Sequence, residues 1–308
     1  MSEWTLIEAV KAELMRGSRR RVAIDIGDDA AVLSRIEGGA VLSVDASVED
    51  VHFRRRWAGW DVLGARAFEA ALSDLAAMGS RPVAALLALA LPPRMREPDV
   101  RQLARGVARA ARRARCPVVG GNLTRASEVS ITTTVVGEGR RHLTRSGARV
   151  GDDVFVTGRV GGAALGLACL ERRGARLPEA GPFVKRLLAP VARVAEGIAL
   201  ARIAHACIDL SDGLVSDLGH VADASGVAIE IDAVLVPRAR GHDRLAARLG
   251  LDGLTLALAG GEDYELAFTA KRGARIPVRA FRVGRVLRGA GVVVSGAKPL
   301  VAGHDHFR

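Results

Sequence analysis

The sequence predicts an α/β (α+β) protein of two domains. Its 308 residues are 49% hydrophobic, which is enough for two cores at the usual ~100–200 residues per domain. Short apolar segments typical of strands alternate with segments of helical period. The charged stretch 140–153 has no apolar period. We place the boundary inside it, which gives domains 1–146 and 147–308.

Apolar runs in the first half predict strands at 38–45, 83–91, 117–120 and 129–139. The run DVLGARAFEAALSDLAAMG at 61–79 predicts a helix, with Asp61 as N-cap and Gly79 as the C-terminal stop. The run DVRQLARGVARAARRAR, which begins at Asp99, predicts an amphipathic helix with a solvated basic face.

The second half opens with VFVTGRVGGAALGLACL at 154–170, which predicts a strand, a glycine turn and a helix. Such a turn can hold phosphate at the helix N-terminus, but tight packing between strand and helix explains the glycines equally well. The stretch CIDLSDGLVSDLGH at 207–220 predicts another turn from strand to helix. The mixed segment LALAGGEDYELAFT at 256–269 precedes short strands.

The net charge of +11 is compatible with a nucleic-acid or membrane partner. No aromatic residues interleave with the arginines of the most basic run, so we favour a compositional bias and predict neither partner. The three cysteines are far apart, the N-terminus lacks a signal-peptide pattern, and the longest apolar run is too short to span a membrane. These features predict a cytoplasmic protein.

Several common catalytic motifs are absent from the sequence. No lysine follows a glycine, which excludes the phosphate loop G-x-x-x-x-G-K-[ST]. The H-R-D and D-F-G motifs of protein kinases and the G-x-S-x-G elbow are absent too. No histidine precedes a glutamate, so H-E-x-x-H is excluded.

Aspartates occur instead where apolar segments end. Asp45 and Asp209 end predicted strands, and Asp74 lies inside an almost entirely apolar helix, where it should be enclosed. Asp212 is explained at least as well as a helix cap, and we expect Asp217 to be exposed. Carboxylates at strand ends converge if those strands share a sheet, and their mutual repulsion is relieved by Mg²⁺ with a polyphosphate.

The ordered set of motifs resembles the thiamine-monophosphate kinase family, within the aminoimidazole-ribonucleotide synthetase superfamily. The motifs are IGDDAAVL, SVDASVEDVHF, LSDLAAMGSRP, GGNLTR, LTRSGARVGDDVFVTG, IDLSDGLVSDLGH and GGEDYELAFT. The resemblance implies two α/β domains, with an N-terminal ATP- and Mg²⁺-binding domain that forms a homodimer. It also implies transfer of the γ-phosphoryl group of ATP to thiamine phosphate.

The resemblance further implies roles for individual residues. The implied Mg²⁺ ligands are Asp29, Ser43, Val44, Asp45, Asp74, Asn122, Asp209 and Asp212. The implied ATP contacts are Gly121, Asn122, Arg145 and Ser211, and the implied substrate contacts are His52, Glu262 and His304. No residue needs to act as a general base, because the acceptor is already a phosphate oxygen.

The sequence departs from the family pattern at three places. Asn122 replaces an expected aspartate, the segment around Ala46, Ser47 and Asp50 differs, and His304 stands where an aromatic residue is expected. The alternative is therefore a nucleotide-binding homologue with weak or different kinase activity. A selenophosphate synthetase would need a cysteine near the N-terminus, and a hydrogenase-maturation relative would need a cysteine-bearing tail.

Overall fold

The computed structural model describes residues 3–15, 19–26, 30–172 and 176–296. Its internal contacts divide the chain into two compact units. Unit 1 comprises Met1–Leu75 and Ser80–Arg140, and unit 2 comprises Ala76–Gly79 and Arg141–Arg308. The division after residue 140 is close to the charged stretch, and the domain limits at 146/147 stay a prediction.

Unit 1 is built around a sheet in the order β3-β6-β4-β5. Strands β4 and β5 are parallel, and the other neighbours are antiparallel. The predicted helix at 61–79 begins at Trp60, so Asp61 lies in its first turn. The elements are α1 (Glu3–Leu14), β1 (Val22–Ile24), β2 (Val32–Leu33), β3 (Gly39–Val48), α2 (Trp60–Ala77), β4 (Arg81–Leu91), α3 (Glu97–Ala114), β5 (Val118–Arg125) and β6 (Ser130–Gly139).

Helix α3 confirms the predicted amphipathic pattern, since its apolar residues, such as Leu103 and Val107, are fully buried. The arginines of its basic face also form ion pairs. Arg101, Arg105, Arg109 and Arg113 pair with Glu97, Glu13, Asp61 and Glu69 in turn. Glu13 and Glu69 are only 2–3% exposed. The arginines therefore neutralise buried acids of unit 1, which gives the basic run a structural role.

Unit 2 contains a mixed sheet in the order β12-β9-β11-β7-β10-β8, in which β9 and β12 alone are parallel neighbours. Its elements are β7 (Asp152–Val156), α4 (Gly162–Glu171), α5 (Gly181–Leu188), α6 (Val194–Leu200), β8 (Ala206–Asp209), α7 (Leu214–Ser225), β9 (Ala228–Asp232), α8 (His242–Arg248), α9 (Gly253–Ala259), β10 (Leu266–Lys271), β11 (Phe281–Leu287) and β12 (Gly291–Ser295).

Both faces of this sheet are buried. Ala267 of β10 packs with Leu214 and Leu218 of α7, whereas Leu266 and Phe268 on the opposite face pack with Leu200 of α6. Such two-sided burial explains why the strands read as continuous apolar runs. In the parts of the chain that the structure describes, no helix is both long and apolar enough to cross a membrane.

Candidate functional site

Unit 1 brings together an acidic pair, Asp45 on β3 and Asp74 on α2. The Ser43 hydroxyl donates a hydrogen bond to the Asp74 carboxylate. Burial raises the pKa of Asp45, and the negative charge of Asp74 raises it further. The backbone N–H of Ala46 and the charge of nearby His52 act in the opposite direction. Three residues predicted to hold metal, with a fourth predicted to hold substrate, therefore lie near one another.

Asp74 is half-buried rather than enclosed. Its neighbours in α2, Ser73 and Leu75, are fully buried. The carboxylate of Asp74 is therefore partly exposed within an otherwise buried stretch of the helix. His52 lies in the turn after β3, where its Nδ1 accepts a hydrogen bond of 3.1 Å from the Val48 N–H. That bond fixes the orientation of the ring.

The strand register does not place Asn122 beside Asp45. Asn122 lies opposite Ala88, which lies opposite Thr132, and Thr132 lies opposite Ala46. Paired residues lie on the same face of a sheet, so Asn122 lies on the same face as Ala46. Asp45, one residue earlier in β3, lies in the neighbouring row of paired residues and on the other face. The side chain of Asn122 is exposed. Its metal role stays a prediction.

Gly121 brings β5 unusually close to β4. A Cβ on Gly121 would lie 1.8 Å from the Leu87 carbonyl oxygen, so no larger residue fits there without a shift of the strand. Val44 has a side chain that is 63% exposed, and only its backbone oxygen remains as a donor for metal. The roles predicted for Gly121 and Val44 are not tested by these contacts.

Unit 2 brings together a second acidic group where β8 turns into α7. Asp209 ends β8, Asp212 lies in the turn and Asp217 lies in the first turn of α7. We call this group the aspartate loop. Asp209 and Asp217 are 7% and 2% exposed. Burial raises the pKa of Asp217 to about 7, and the charges of Asp209 and Asp212 contribute to the rise. Our prediction that Asp217 is exposed is therefore wrong.

Asp217, rather than Asp212, binds the backbone N–H groups just before α7. Its Oδ2 accepts hydrogen bonds from the backbone N–H groups of Asp212 (3.2 Å) and Gly213 (3.1 Å). The N-cap of α7 is Gly213, and no side chain caps it, so the cap interpretation of Asp212 is wrong. Asp217 lies one helical turn after Gly213, and its carboxylate reaches back to the turn before α7.

The backbone of the segment GGEDYE, residues 260–265, donates hydrogen bonds to the turn after β8. The N–H of Glu262 donates to the Ser211 carbonyl (2.8 Å), and the N–H of Tyr264 donates to the Leu210 carbonyl (2.9 Å). Glu262 and Tyr264 have φ values of 66° and 48°. Residues other than glycine adopt this left-handed region at some cost, and such strain is concentrated at functional sites. Glu262 and Ser211, predicted to contact substrate and ATP, thus lie on adjoining segments.

Arg145 belongs to the same unit as this loop. The carbonyl of its neighbour Thr144 accepts a hydrogen bond of 2.9 Å from the Cys207 N–H, two residues before Asp209. Ser225 donates to the Arg145 carbonyl, and the Arg145 side chain is exposed. Asp29 and His304 lie outside the described residues.

The glycine turn before α4 is occupied by a carboxylate of the protein. Asp263 accepts hydrogen bonds from the N–H groups of Gly161 and Ala163. Burial raises the pKa of Asp263 to about 6, although these bonds and the charge of Arg186 offset part of the rise. Of the two explanations that we left open, the structure favours packing over a free phosphate site.

The two acidic groups lie on different sheets, in different units, so the condition that their strands share a sheet is not met. Each group offers oxygen donors without cysteine, and each contains an acid whose pKa is raised by burial and further by neighbouring carboxylates. Such crowded oxygen sites suit a hard divalent cation. Within the described ranges, no cluster of three or more His, Cys, Asp or Glu residues is arranged to hold a metal by itself.

The chain is similar to known proteins over most of its length. Residues 27–138 match the family model described as AIR synthase related protein, N-terminal domain. The thiamine-monophosphate kinase of Aquifex aeolicus is 35% identical over 312 residues, covering 100% of this chain and 98% of the relative. The thiamine-monophosphate kinase of Escherichia coli K12 is 40% identical over 261 residues, covering 83% of this chain and 78% of the relative.

Solved structures confirm the expected fold class. The thiamine-monophosphate kinase of Stenotrophomonas maltophilia K279a superposes with a TM-score of 0.85 at 35% identity, covering 96% of this chain and 97% of that one. A complex of AaThiL with AMPPCP and TMP gives a TM-score of 0.84 at 35% identity, covering 99% and 97%. The similarity over nearly the full length shows that the chain belongs to the thiamine-monophosphate kinase family.

Proposed function

We propose that this protein transfers the γ-phosphoryl group of ATP to thiamine phosphate, which gives thiamine diphosphate and ADP. The observation that carries the proposal is the 35% identity to the Aquifex aeolicus kinase over the whole chain. The similar structure that contains AMPPCP and TMP supports the same pair of substrates, because AMPPCP is an analogue of ATP. The reaction needs positioning and charge neutralisation rather than a covalent nucleophile.

The cation is Mg²⁺, and each of the two acidic groups is a proposed site for it. Asp45 and Asp74 with Ser43 would bind it in unit 1, and Asp209 with Asp212 would bind it in unit 2. Asp29, Val44 and Asn122 complete the proposed set. When bound, Mg²⁺ neutralises the phosphate oxygens and the acids that face them. The support is electrostatic, since both groups contain carboxylates that repel one another.

The proposed substrate contacts are backbone and side-chain groups of this chain. Gly121, Asn122, Arg145 and Ser211 contact ATP, and His52, Glu262 and His304 contact thiamine phosphate. The fixed ring of His52 and the strained backbone at Glu262 support these assignments. The cytoplasmic location stays a prediction.

The protein acts as a homodimer that buries the uncovered face of the unit 1 sheet. On that face Leu42, Val44 and Leu86 are 68%, 63% and 41% exposed. The register places them in adjoining rows, because Leu42 lies opposite Val136 and both Val44 and Leu86 lie opposite Thr134. A second copy of the same chain presents the same apolar strip, which suits a two-fold interface. Light scattering on the purified protein measures the mass directly.

The test of the activity is an assay of the purified protein with ATP, Mg²⁺ and thiamine phosphate, with the products separated by chromatography. Thiamine diphosphate and ADP should form in equal amounts and only with the divalent cation. ATP binding without thiamine diphosphate, even at saturating Mg²⁺, would support the alternative of a nucleotide-binding homologue with weak or different activity.

A further inference from the structure

His242 is a fully buried polar side chain at the start of α8, to which we have assigned no contact with Mg²⁺, ATP or thiamine phosphate. Its Nε2 lies 3.0 Å from the Gly161 carbonyl oxygen, and its Nδ1 lies 2.9 Å from Oδ1 of Asp243. A backbone carbonyl only accepts hydrogen bonds, so Nε2 is the donor to Gly161. A side chain of α8 is therefore hydrogen-bonded to the glycine turn before α4.

Asp243 and Phe183 fix the orientation of the His242 ring. The Asp243 carboxylate also accepts a hydrogen bond of 2.9 Å from Nε of Arg238. Burial acts to raise the pKa of Asp243, but the hydrogen bonds and charges of His242 and Arg238 outweigh it and lower the pKa. The Phe183 ring packs edge-on against the imidazole, with the ring centres 5.7 Å apart. The imidazole thus has a defined direction toward Gly161.

The backbone of Gly161 is held on both sides of its Cα atom. Its φ of 79° is in the left-handed region, and a Cβ there would lie 2.7 Å from Cα of Ala257, so the position requires glycine. The carbonyl oxygen accepts from the Leu165 N–H (3.0 Å) as well as from His242, which uses both of its lone pairs. The Gly161 N–H donates to Asp263. His242 therefore fixes the carbonyl side of the residue whose N–H binds Asp263.

Asp263 connects the glycine turn to the GGEDYE segment. It is 2% exposed, and its other carboxylate oxygen accepts a hydrogen bond of 3.0 Å from the Ala163 N–H. Its chain neighbours Glu262 and Tyr264 are the two residues with left-handed φ values. Such conformations persist only where the surrounding contacts enforce them. A displacement of Gly161 would therefore displace Asp263 and change the backbone of Glu262.

We propose that His242 is a positioning residue that acts through Gly161 and Asp263 to hold Glu262 in the conformation that binds thiamine phosphate. The role of Glu262 in this inference rests on the proposed function. The hydrogen-bonded path from α8 to the GGEDYE segment does not depend on it, since all three groups of the path are buried in unit 2. Loss of the path should weaken the binding of one substrate rather than slow the chemical step.

Two amide variants of the full-length protein test the bond to Gly161. The side-chain nitrogen of glutamine reaches about as far as Nε2 of histidine, and that of asparagine reaches only as far as Nδ1. His242→Gln should therefore keep the donor to Gly161, and His242→Asn should lose it. His242→Phe keeps a ring beside Phe183 without any donor and should behave like His242→Asn. Melting curves show that each variant is folded before it is compared.

The position of the GGEDYE segment can be measured without turnover. Tyr264 is the single tyrosine of the chain, so labelling with fluorotyrosine gives one fluorine NMR signal from this segment. The signal should move in His242→Asn and His242→Phe and keep its wild-type position in His242→Gln. Leu245→Ala is the control, because Leu245 is a fully buried residue of α8 in the same cluster as Phe183, and its loss removes packing but no bond to Gly161. An unmoved signal in His242→Asn, or equal movement in Leu245→Ala, would overturn the proposal.

Kinetics test the consequence for the proposed reaction. In His242→Asn the KM for thiamine phosphate should rise about 10-fold, while kcat and the KM for ATP change less than about 3-fold. His242→Gln and Leu245→Ala should keep the wild-type KM. A loss confined to kcat, or an unchanged KM in a variant whose fluorine signal has moved, would contradict the positioning role. A wild type without kinase activity would refute the proposed function instead, and the fluorine signals would still decide whether His242 positions the segment.

Discussion

Two buried carboxylates of unit 2, Glu265 and Asp217, have neighbours of opposite charge. Glu265 is 1% exposed and is neutralised by Arg186 and Arg193. Asp217 is 2% exposed, and its charged neighbours in the loop are Asp209 and Asp212. Burial of an acid is therefore no indication of a cation site by itself. The sign of the neighbouring charges decides whether the protein supplies the counter-charge or leaves it to a ligand.

Arg193 shows how acidic neighbours affect the pKa of a partly buried base. Burial acts to lower the pKa of Arg193, but the hydrogen bonds and charge of Glu265, with a contribution from Glu196, outweigh it and raise the pKa. Charge in this cluster is thus stabilised in the folded protein. The aspartate loop shows the reverse, because the neighbours of Asp217 make its charged form less favourable.

The largest expected effect comes from Glu265→Gln. This variant removes the carboxylate shared by two arginines that are only 25% and 27% exposed. We expect a loss of about 3 kcal/mol in the free energy of unfolding, because breaking a buried pair leaves charge without a partner. The measurement is denaturant unfolding followed by circular dichroism.

Glu196→Gln is the matched control for Glu265→Gln. Glu196 is 32% exposed and lies 3.7 Å from Arg193, so its removal should cost no more than about 0.5 kcal/mol. Similar losses of unfolding free energy in the two variants would mean that burial of Glu265 does not strengthen its ion pairs. The contrast between Glu265 and Asp217 would then be contradicted.

Asp212→Asn should reduce turnover at least about 100-fold, because a ligand of the catalytic cation contributes several kcal/mol to the transition state. Its melting temperature should not fall. The backbone N–H groups at the start of α7 are bound by Asp217, so Asp212 contributes only its charge. A variant with normal turnover would show that Asp212 does not hold the cation.

Asp217→Asn should stabilise the protein in the absence of Mg²⁺, by about 2 kcal/mol at pH 8. The folded pKa of Asp217 is raised to about 7 from 3.8. Below pH 4 the group is protonated in both states, and its destabilising effect develops between pH 4 and 7 as the unfolded state loses its proton first. Asparagine keeps an oxygen for the two backbone N–H groups.

The gain from Asp217→Asn should therefore disappear at pH 4 and shrink when Mg²⁺ is added at pH 8. Asp223→Asn on the exposed side of the same helix is the control and should change the melting temperature little at any pH. A gain in Asp217→Asn that is equal at pH 4 and pH 8 would contradict the electrostatic explanation.

Sequence reasoning was strongest where periodicity and type of residue agree. The strand at 83–91 and the helix around Asp74 follow directly from apolar runs. Asp217 was missed because a helical position after a turn normally faces solvent, and its bonds to Asp212 and Gly213 depend on a turn geometry that spacing alone does not specify. Glu265 was missed because its arginine partners lie 79 and 72 residues away in the chain.

The grouping of the acids was predictable only in part. The sequence identified Asp45, Asp74, Asp209 and Asp212 one by one, but it did not show whether the strands that end in Asp45 and Asp209 share a sheet. The order of strands in each sheet depends on tertiary packing, and neither apolar runs nor motif order specifies which strands are neighbours.

The smallest expected effect comes from Asn122→Asp, which restores the acid that the family pattern has at this position. If Asn122 faces a cation, the added charge should lower the Mg²⁺ concentration for half-maximal rate by up to about 10-fold, equivalent to about 1.4 kcal/mol. The strand register places Asn122 one row away from Asp45 and on the other face, so the new acid does not add to the Asp45–Asp74 pair. Because Asn122 lies on the face that we propose for the homodimer, light scattering should show that the variant keeps the mass of the wild type.

Thr124→Asp is the matched control for Asn122→Asp, because Thr124 is also exposed and lies two residues further along β5, on the same face. A magnesium titration of both variants and the wild type, with melting curves, separates a local contact from a general charge effect. A shift in Asn122→Asp alone would place this residue at the cation. Equal shifts in both variants would mean that a negative charge anywhere on this face attracts Mg²⁺. No shift in either would remove Asn122 from the proposed Mg²⁺ ligands.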